Sequence, residues 1–213
     1  MLRPPLRLVA LGDSYTIGTS VGPAERWPDL LVERLARAAP QAPPVALAAN
    51  LAVNGSTSAD VVREQLPRLW SLQPDLVTLL IGVNDVVQGV PVDRYRANMT
   101  TILGALLARL PRERLLTIST PDYTVTPRGA DYGDPALRAA GIRVVNALVA
   151  EVSATRRIAH VDIHDLSLLA ADDPSLVARD GLHPSGSQYR LWVDRIEPVV
   201  QRLLESYGGA LAP

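Results

Sequence analysis

The sequence predicts an α/β protein: a doubly wound parallel sheet of five strands with helices on both faces. Three features of the 213-residue chain predict it. Short apolar runs alternate with longer stretches of helical periodicity. The runs are continuously apolar, as in strands covered on both faces, instead of alternating apolar and polar. Interleaving of this kind suits right-handed helical crossovers between parallel strands. No composition break, repeat or low-complexity tract divides the chain, so one domain over residues 1–213 is expected.

Taken in order, strand Leu6–Leu11 runs into the small turn Gly12-Asp13-Ser14. Helix Trp27–Ala39 is closed by the proline-rich APQAPP of Ala39–Pro44, too short for an interdomain linker. Strand Val45–Leu51 leads to Asn54-Gly55-Ser56, and helix Ser58–Leu69 opens on the capping pattern Thr57-x-x-Asp60. Strand Leu76–Ile81 leads to Gly82-Val83-Asn84-Asp85, followed by helix Val92–Leu110 and strand Leu115–Ser119. The longest irregular segment, Pro121–Pro135, carries Asp122, Tyr123 and Tyr132, and loops of that length in compact domains are often functional. It is expected to wall a site, with Tyr123 and Tyr132 as substrate-binding candidates. Helix Leu137–Thr155 and strand Ile158–Asp162 come next. Pro184 biases His183 away from helical geometry and suits the first turn of helix Ser185–Ser206. In that helix Tyr189, Trp192, Ile196, Val199, Val200 and Leu203 recur at helical spacing, as one buried face does.

Composition narrows the function classes. Hydrophobic residues make up 47% and charged ones 20%, as in an ordinary globular protein. A formal net charge of −1 gives no global field favouring nucleic acid or an anionic membrane. The absence of Cys excludes disulfides, Cys-ligated zinc and thiol nucleophiles. No apolar segment approaches the ~18 residues of a spanning helix. The opening MLRPPLRLVALGDS has too short an apolar run for a secretory signal. A cytoplasmic protein is therefore expected, without stable membrane association, and the Asn54 and Asn98 sequons read as chance matches.

Four places could carry chemistry, each at the carboxyl end of a strand or before the last helix: Ser14, Gly55, Asn84, and Asp180 with His183 in RDGLHPSG. In an open parallel sheet those strand ends form one rim, where ligands bind. Each has a structural alternative. Ser14 could cap a helix, Asn84-Asp85 could form an Asx turn, and His-Pro could merely start a helix. Chemically, a serine hydroxyl needs a neighbouring base, which a neutral histidine supplies near pH 7. An aspartate then fixes the imidazole tautomer and stabilises the imidazolium. An oxyanion needs donors placed beforehand, and the N–H groups of Ser14 and Gly55 and the amide of Asn84 are candidates.

GDSYT, Gly55, GVND and DGLHP together resemble the SGNH hydrolases, the GDSL esterase and lipase family, across Leu6 to about Ser187. Tyr15 stands where the eponymous motif has Leu. The resemblance implies a flavodoxin-like sheet of order 2-1-3-4-5. It further implies a catalytic triad of Ser14, His183 and Asp180, and an oxyanion hole from Ser14, Gly55 and Asn84. The α/β-hydrolase elbow G-x-S-x-G surrounds no serine of the chain.

The implied reaction is hydrolysis of an ester through an acyl-enzyme, with no cofactor. The expected partner is a small-molecule ester or thioester of short to medium acyl chain. Lysophospholipase and carbohydrate acetylesterase activity are alternatives within the family. Acyl transfer to an alcohol would use the same intermediate, and a non-catalytic binding module on the same fold is the alternative from another class. His160, Asp162 and His164 alternate as a metal half-site could, but are read as the exposed end of the last strand, and no metal is expected.

Overall fold

The structure, a computed structural model, describes residues 4–38 and 44–209. Five parallel strands form one sheet of order β2-β1-β3-β4-β5: β1 (Leu6–Gly12), β2 (Val45–Asn50), β3 (Leu76–Leu80), β4 (Leu115–Ile118) and β5 (Ala159–Val161). The architecture and order are those expected.

Helices α1 (Ser14–Ile17) and α2 (Trp27–Ala38) follow β1, and α3 (residues 58–69) follows β2. After β3 come α4 (Val83–Val87) and α5 (Val92–Leu107); α6 (Pro135–Thr155) follows β4. Beyond β5 lie α7 (His164–Leu168) and α8 (Gly186–Gly209).

Strand side chains alternate between two cores, which explains the unbroken apolar runs. Leu6, Leu8 and Ala10 of β1 pack with Trp27, Leu30 and Leu31 of α2 and with Tyr189, Trp192 and Ile196 of α8. Val9 and Leu11 face the other way, against Val61 and Leu69 of α3, Met99 and Ile102 of α5, and Val149 of α6. Trp27 and Trp192 are fully buried; truncating either to Ala would cost about 3–5 kcal/mol.

Several boundaries differ from expectation, each for a local reason. Helix α6 starts at Pro135, not Leu137, because Asp134 caps the N–H groups of Ala136 and Leu137 at 2.9 and 3.1 Å and proline suits the first helical position. Helix α5 stops at Leu107 with Ala108 as its cap, three residues before Pro111. Within α3, residues Val61–Gln65 form a π-helical turn. The first residues of APQAPP, including Ala39, lie outside the described residues.

Candidate active site

The site forms where the sheet's winding reverses, between β1 and its neighbours β2 and β3, at their carboxyl ends. Ser14 opens α1 directly after β1. Asp13, as N-cap, accepts a hydrogen bond from the Tyr15 N–H at 3.0 Å, which fixes the turn. From α3, Gln65 grips the same turn twice: its Oε1 accepts from the Gly12 N–H at 2.9 Å and its Nε2 donates to the Gly12 carbonyl at 2.7 Å. Gln65 ends the π-helical turn, whose extra residue redirects side chains relative to a regular helix.

Gly55 sits in the turn after β2 with φ of 80°. A Cβ there would meet nothing within 4 Å, so the left-handed backbone requires glycine, not crowding. The expected capping box is present: Asp60 accepts from the N–H and the hydroxyl of Thr57 at 2.8 and 2.7 Å. Asp85 ties this block to α4, because its carboxylate accepts from the Ser58 N–H at 2.8 Å and the Ser58 hydroxyl at 2.5 Å. Next to it, Asn84 Nδ2 donates to the Ser56 carbonyl at 2.9 Å. A side-chain amide has two N–H groups, so one orients Asn84 and one remains.

His183 and Asp180 approach from the loop before α8. His183 Nδ1 lies 2.6 Å from Asp180 Oδ2, while Asp180 Oδ1 accepts from the N–H groups of Leu182 and His183 at 2.9 and 3.0 Å. Burial would raise the Asp180 carboxyl, but the bonds from Ser20, His183 and those backbone groups outweigh it and hold it well below the usual carboxylate range. Tyr15 lies against the imidazole, with ring centroids 5.2 Å apart and planes at 49°. That contact gives the departure from Leu a structural role.

All these blocks line one cavity of about 220 Å³, together with Tyr123, Tyr132, Val83, Val87 and Leu182. Ser14, Gly55, Asn84 and His183 are thus brought together. The Ser14 hydroxyl itself makes no hydrogen bond among the described residues, to His183 included. Nor do the N–H groups of Ser14 and Gly55 donate to any protein group among them. Tyr123 is buried beneath the mouth and Tyr132 is exposed at it, with their rings edge to face at 5.9 Å.

Beneath the Ser14 turn, burial pushes the Asp13 carboxyl up to about 7; the Tyr15 N–H opposes this and nearby Asp85 adds to it. Asp13 Oδ2 has no partner among the described residues.

His160, Asp162 and His164 lie elsewhere, around a second cavity of about 320 Å³ with Ser119, Arg143 and Asn146. Asp162 falls just past β5 and His164 begins α7, so the three do not share a strand. Among the described residues, no group of three or more His, Asp and Glu side chains could hold a metal ion.

A family model described as GDSL-like lipase/acylhydrolase matches residues 10–191, which include all four blocks. The chain belongs to that family. A curated arylesterase of Vibrio mimicus is 29% identical over 104 residues, 47% of this chain and 48% of that one. The chain thus spans about half the length of the curated relative it matches. The solved lipase/acylhydrolase of Enterococcus faecalis is 23% identical, with a TM-score of 0.74 over 94% of this chain and 96% of that one. An acetyl xylan esterase variant of Geobacillus stearothermophilus is 18% identical, with a TM-score of 0.72 over 94% and 97%. At these identities the solved structures attest the fold. No helix among the described residues is long and apolar enough to cross a membrane.

Proposed function

We propose that the chain hydrolyses small carboxylic esters or thioesters of short to medium acyl chain through an acyl-enzyme on Ser14. The observation that carries this reading is the His183–Asp180 bond of 2.6 Å at a cavity that Ser14 also lines. Asp180 stays a carboxylate throughout the working pH range, so it holds the Nδ1–H tautomer and leaves Nε2 to act as base. In the first step Ser14 Oγ bonds to the carbonyl carbon while its proton passes to His183 Nε2. The oxyanion takes hydrogen bonds from the N–H groups of Ser14 and Gly55 and the remaining amide N–H of Asn84. The carbon–oxygen bond to the alcohol then breaks, and His183 gives its proton to the leaving oxygen. Water, deprotonated in turn by His183, attacks the acyl carbon; the bond to Ser14 Oγ then breaks, His183 returns the proton to Oγ, and the acid is released.

A cavity of about 220 Å³ supports a small substrate, since pockets for drug-sized ligands run to roughly 300–1,000 Å³. Tyr123 and Tyr132 wall the acyl side in this reading. The test is hydrolysis of p-nitrophenyl esters from acetate to laurate. Activity should peak at short to medium chains and vanish in Ser14→Ala. No hydrolysis of any ester, or activity surviving in Ser14→Ala, would overturn the proposal.

A further inference from the structure

Ser20 belongs to none of the four blocks and is exposed, yet its backbone is held at φ of 69°. Residues with a side chain seldom adopt that left-handed region; glycine or asparagine would hold it with less strain. Backbone strain kept in place by its surroundings clusters at functional sites. Here the strained turn delivers one hydroxyl: Ser20 Oγ donates to Asp180 Oδ2 at 2.6 Å, across 160 residues of sequence. The same oxygen faces His183 Nδ1 at 2.6 Å.

We propose that Ser20 is a positioning residue of the reaction, whose hydroxyl pins the Asp180 carboxylate and shares the Oδ2 oxygen that would otherwise bond His183 alone. This rests on the reading of Ser14, His183 and Asp180 as a triad. Asp180 Oδ1 is occupied by two backbone N–H groups, so Oδ2 is the oxygen that acts on the imidazole. The other groups acting on Asp180 are the Arg128 guanidinium from the loop after β4 and the phenols of Tyr15 and Tyr189 from α1 and α8. None of them donates a hydrogen bond to its carboxylate among the described residues. Ser20 is therefore the side-chain donor that shares Oδ2 with His183. Removing it leaves a more basic carboxylate, which stabilises the imidazolium. The neutral base then appears only at higher pH.

Ser20→Gly removes the hydroxyl and suits the left-handed turn, so the variant should fold. Its kcat should fall about tenfold with KM unchanged, the scale of one lost bond to a charged group. The acid limb of kcat/KM should move up by roughly half a pH unit. In an Asp180→Asn background the same substitution should change neither quantity, because the residue through which Ser20 acts is gone. A wild-type kcat and acid limb in Ser20→Gly would overturn the proposal, as would an undiminished loss on top of Asp180→Asn. Full activity in Asp180→Asn alone would overturn the triad reading beneath it and so remain distinguishable.

Discussion

Asn84 Nδ2 donates to the Ser56 carbonyl at 2.9 Å, so the turn after β2 aims a side chain that comes from α4, the helix after β3. The bond fixes the amide before any substrate arrives, and its second N–H can serve a developing oxyanion without reorganisation. An interaction stronger in the transition state than in the ground state appears in kcat, not in KM. Asn84→Ala should therefore lower kcat by about 10²–10³ with KM nearly unchanged. Loss of the Ser56 bond should cost only about 1 kcal/mol of stability. Steady-state kinetics beside a melting curve separates the two effects. A folded variant with unchanged kcat would remove Asn84 from the site.

Asp13 makes a second prediction, about stability and pH. Burial raises its carboxyl to about 7 from an ordinary value of 3.8. Between those values the folded state binds more protons than the unfolded state, so folding stability falls as pH rises through that window. A rise of that size corresponds to roughly 4 kcal/mol once the window is crossed. Asp13→Asn keeps an acceptor for the Tyr15 N–H and carries no charge. It should therefore melt higher than the parent at pH 8, with the advantage shrinking towards pH 5. An equal difference at both pH values would show that Asp13 does not titrate in this way.

The third prediction concerns the pocket wall. Arg138 Nε donates to the Tyr132 carbonyl at 3.1 Å and Nη1 to the Val86 carbonyl at 2.6 Å. One guanidinium thus joins the tyrosine-bearing loop to α4, which carries Asn84. Gly133, at φ of 116°, permits the approach: a Cβ there would sit 2.7 Å from Arg138 Nε. Arg138→Met and Gly133→Ala should both loosen the wall and shift the acyl-length profile towards longer chains. The p-nitrophenyl ester series measures this. If both profiles match the parent's, the wall is set elsewhere.

Much of this was legible in the residues. The unbroken apolar runs announced strands covered on both faces, and three of the four blocks stood at strand ends and the fourth before the last helix, in a chain order that brings them to one rim. Helices α1, α4 and α7 were not legible, because four or five residues are too few to show a 3.6-residue period. Asp134-Pro135 did carry a cap-and-proline signature, which places the start of α6 two residues early. Gln65, Ser20 and Arg138 left no pattern. Each acts through a partner more than 45 residues away, and only the folded chain makes such a partner a neighbour. Gln65 also depends on a π-helical turn that regular periodicity does not foresee.

The most direct test of the central claim is a serine-directed fluorophosphonate followed by peptide mass spectrometry. The fluorophosphonate should form one adduct, on Ser14, with ester hydrolysis falling in step with labelling. It should form none in Ser14→Ala. Labelling of Ser56 or Ser185, or full hydrolysis by protein quantitatively labelled at Ser14, would contradict an acyl-enzyme on Ser14.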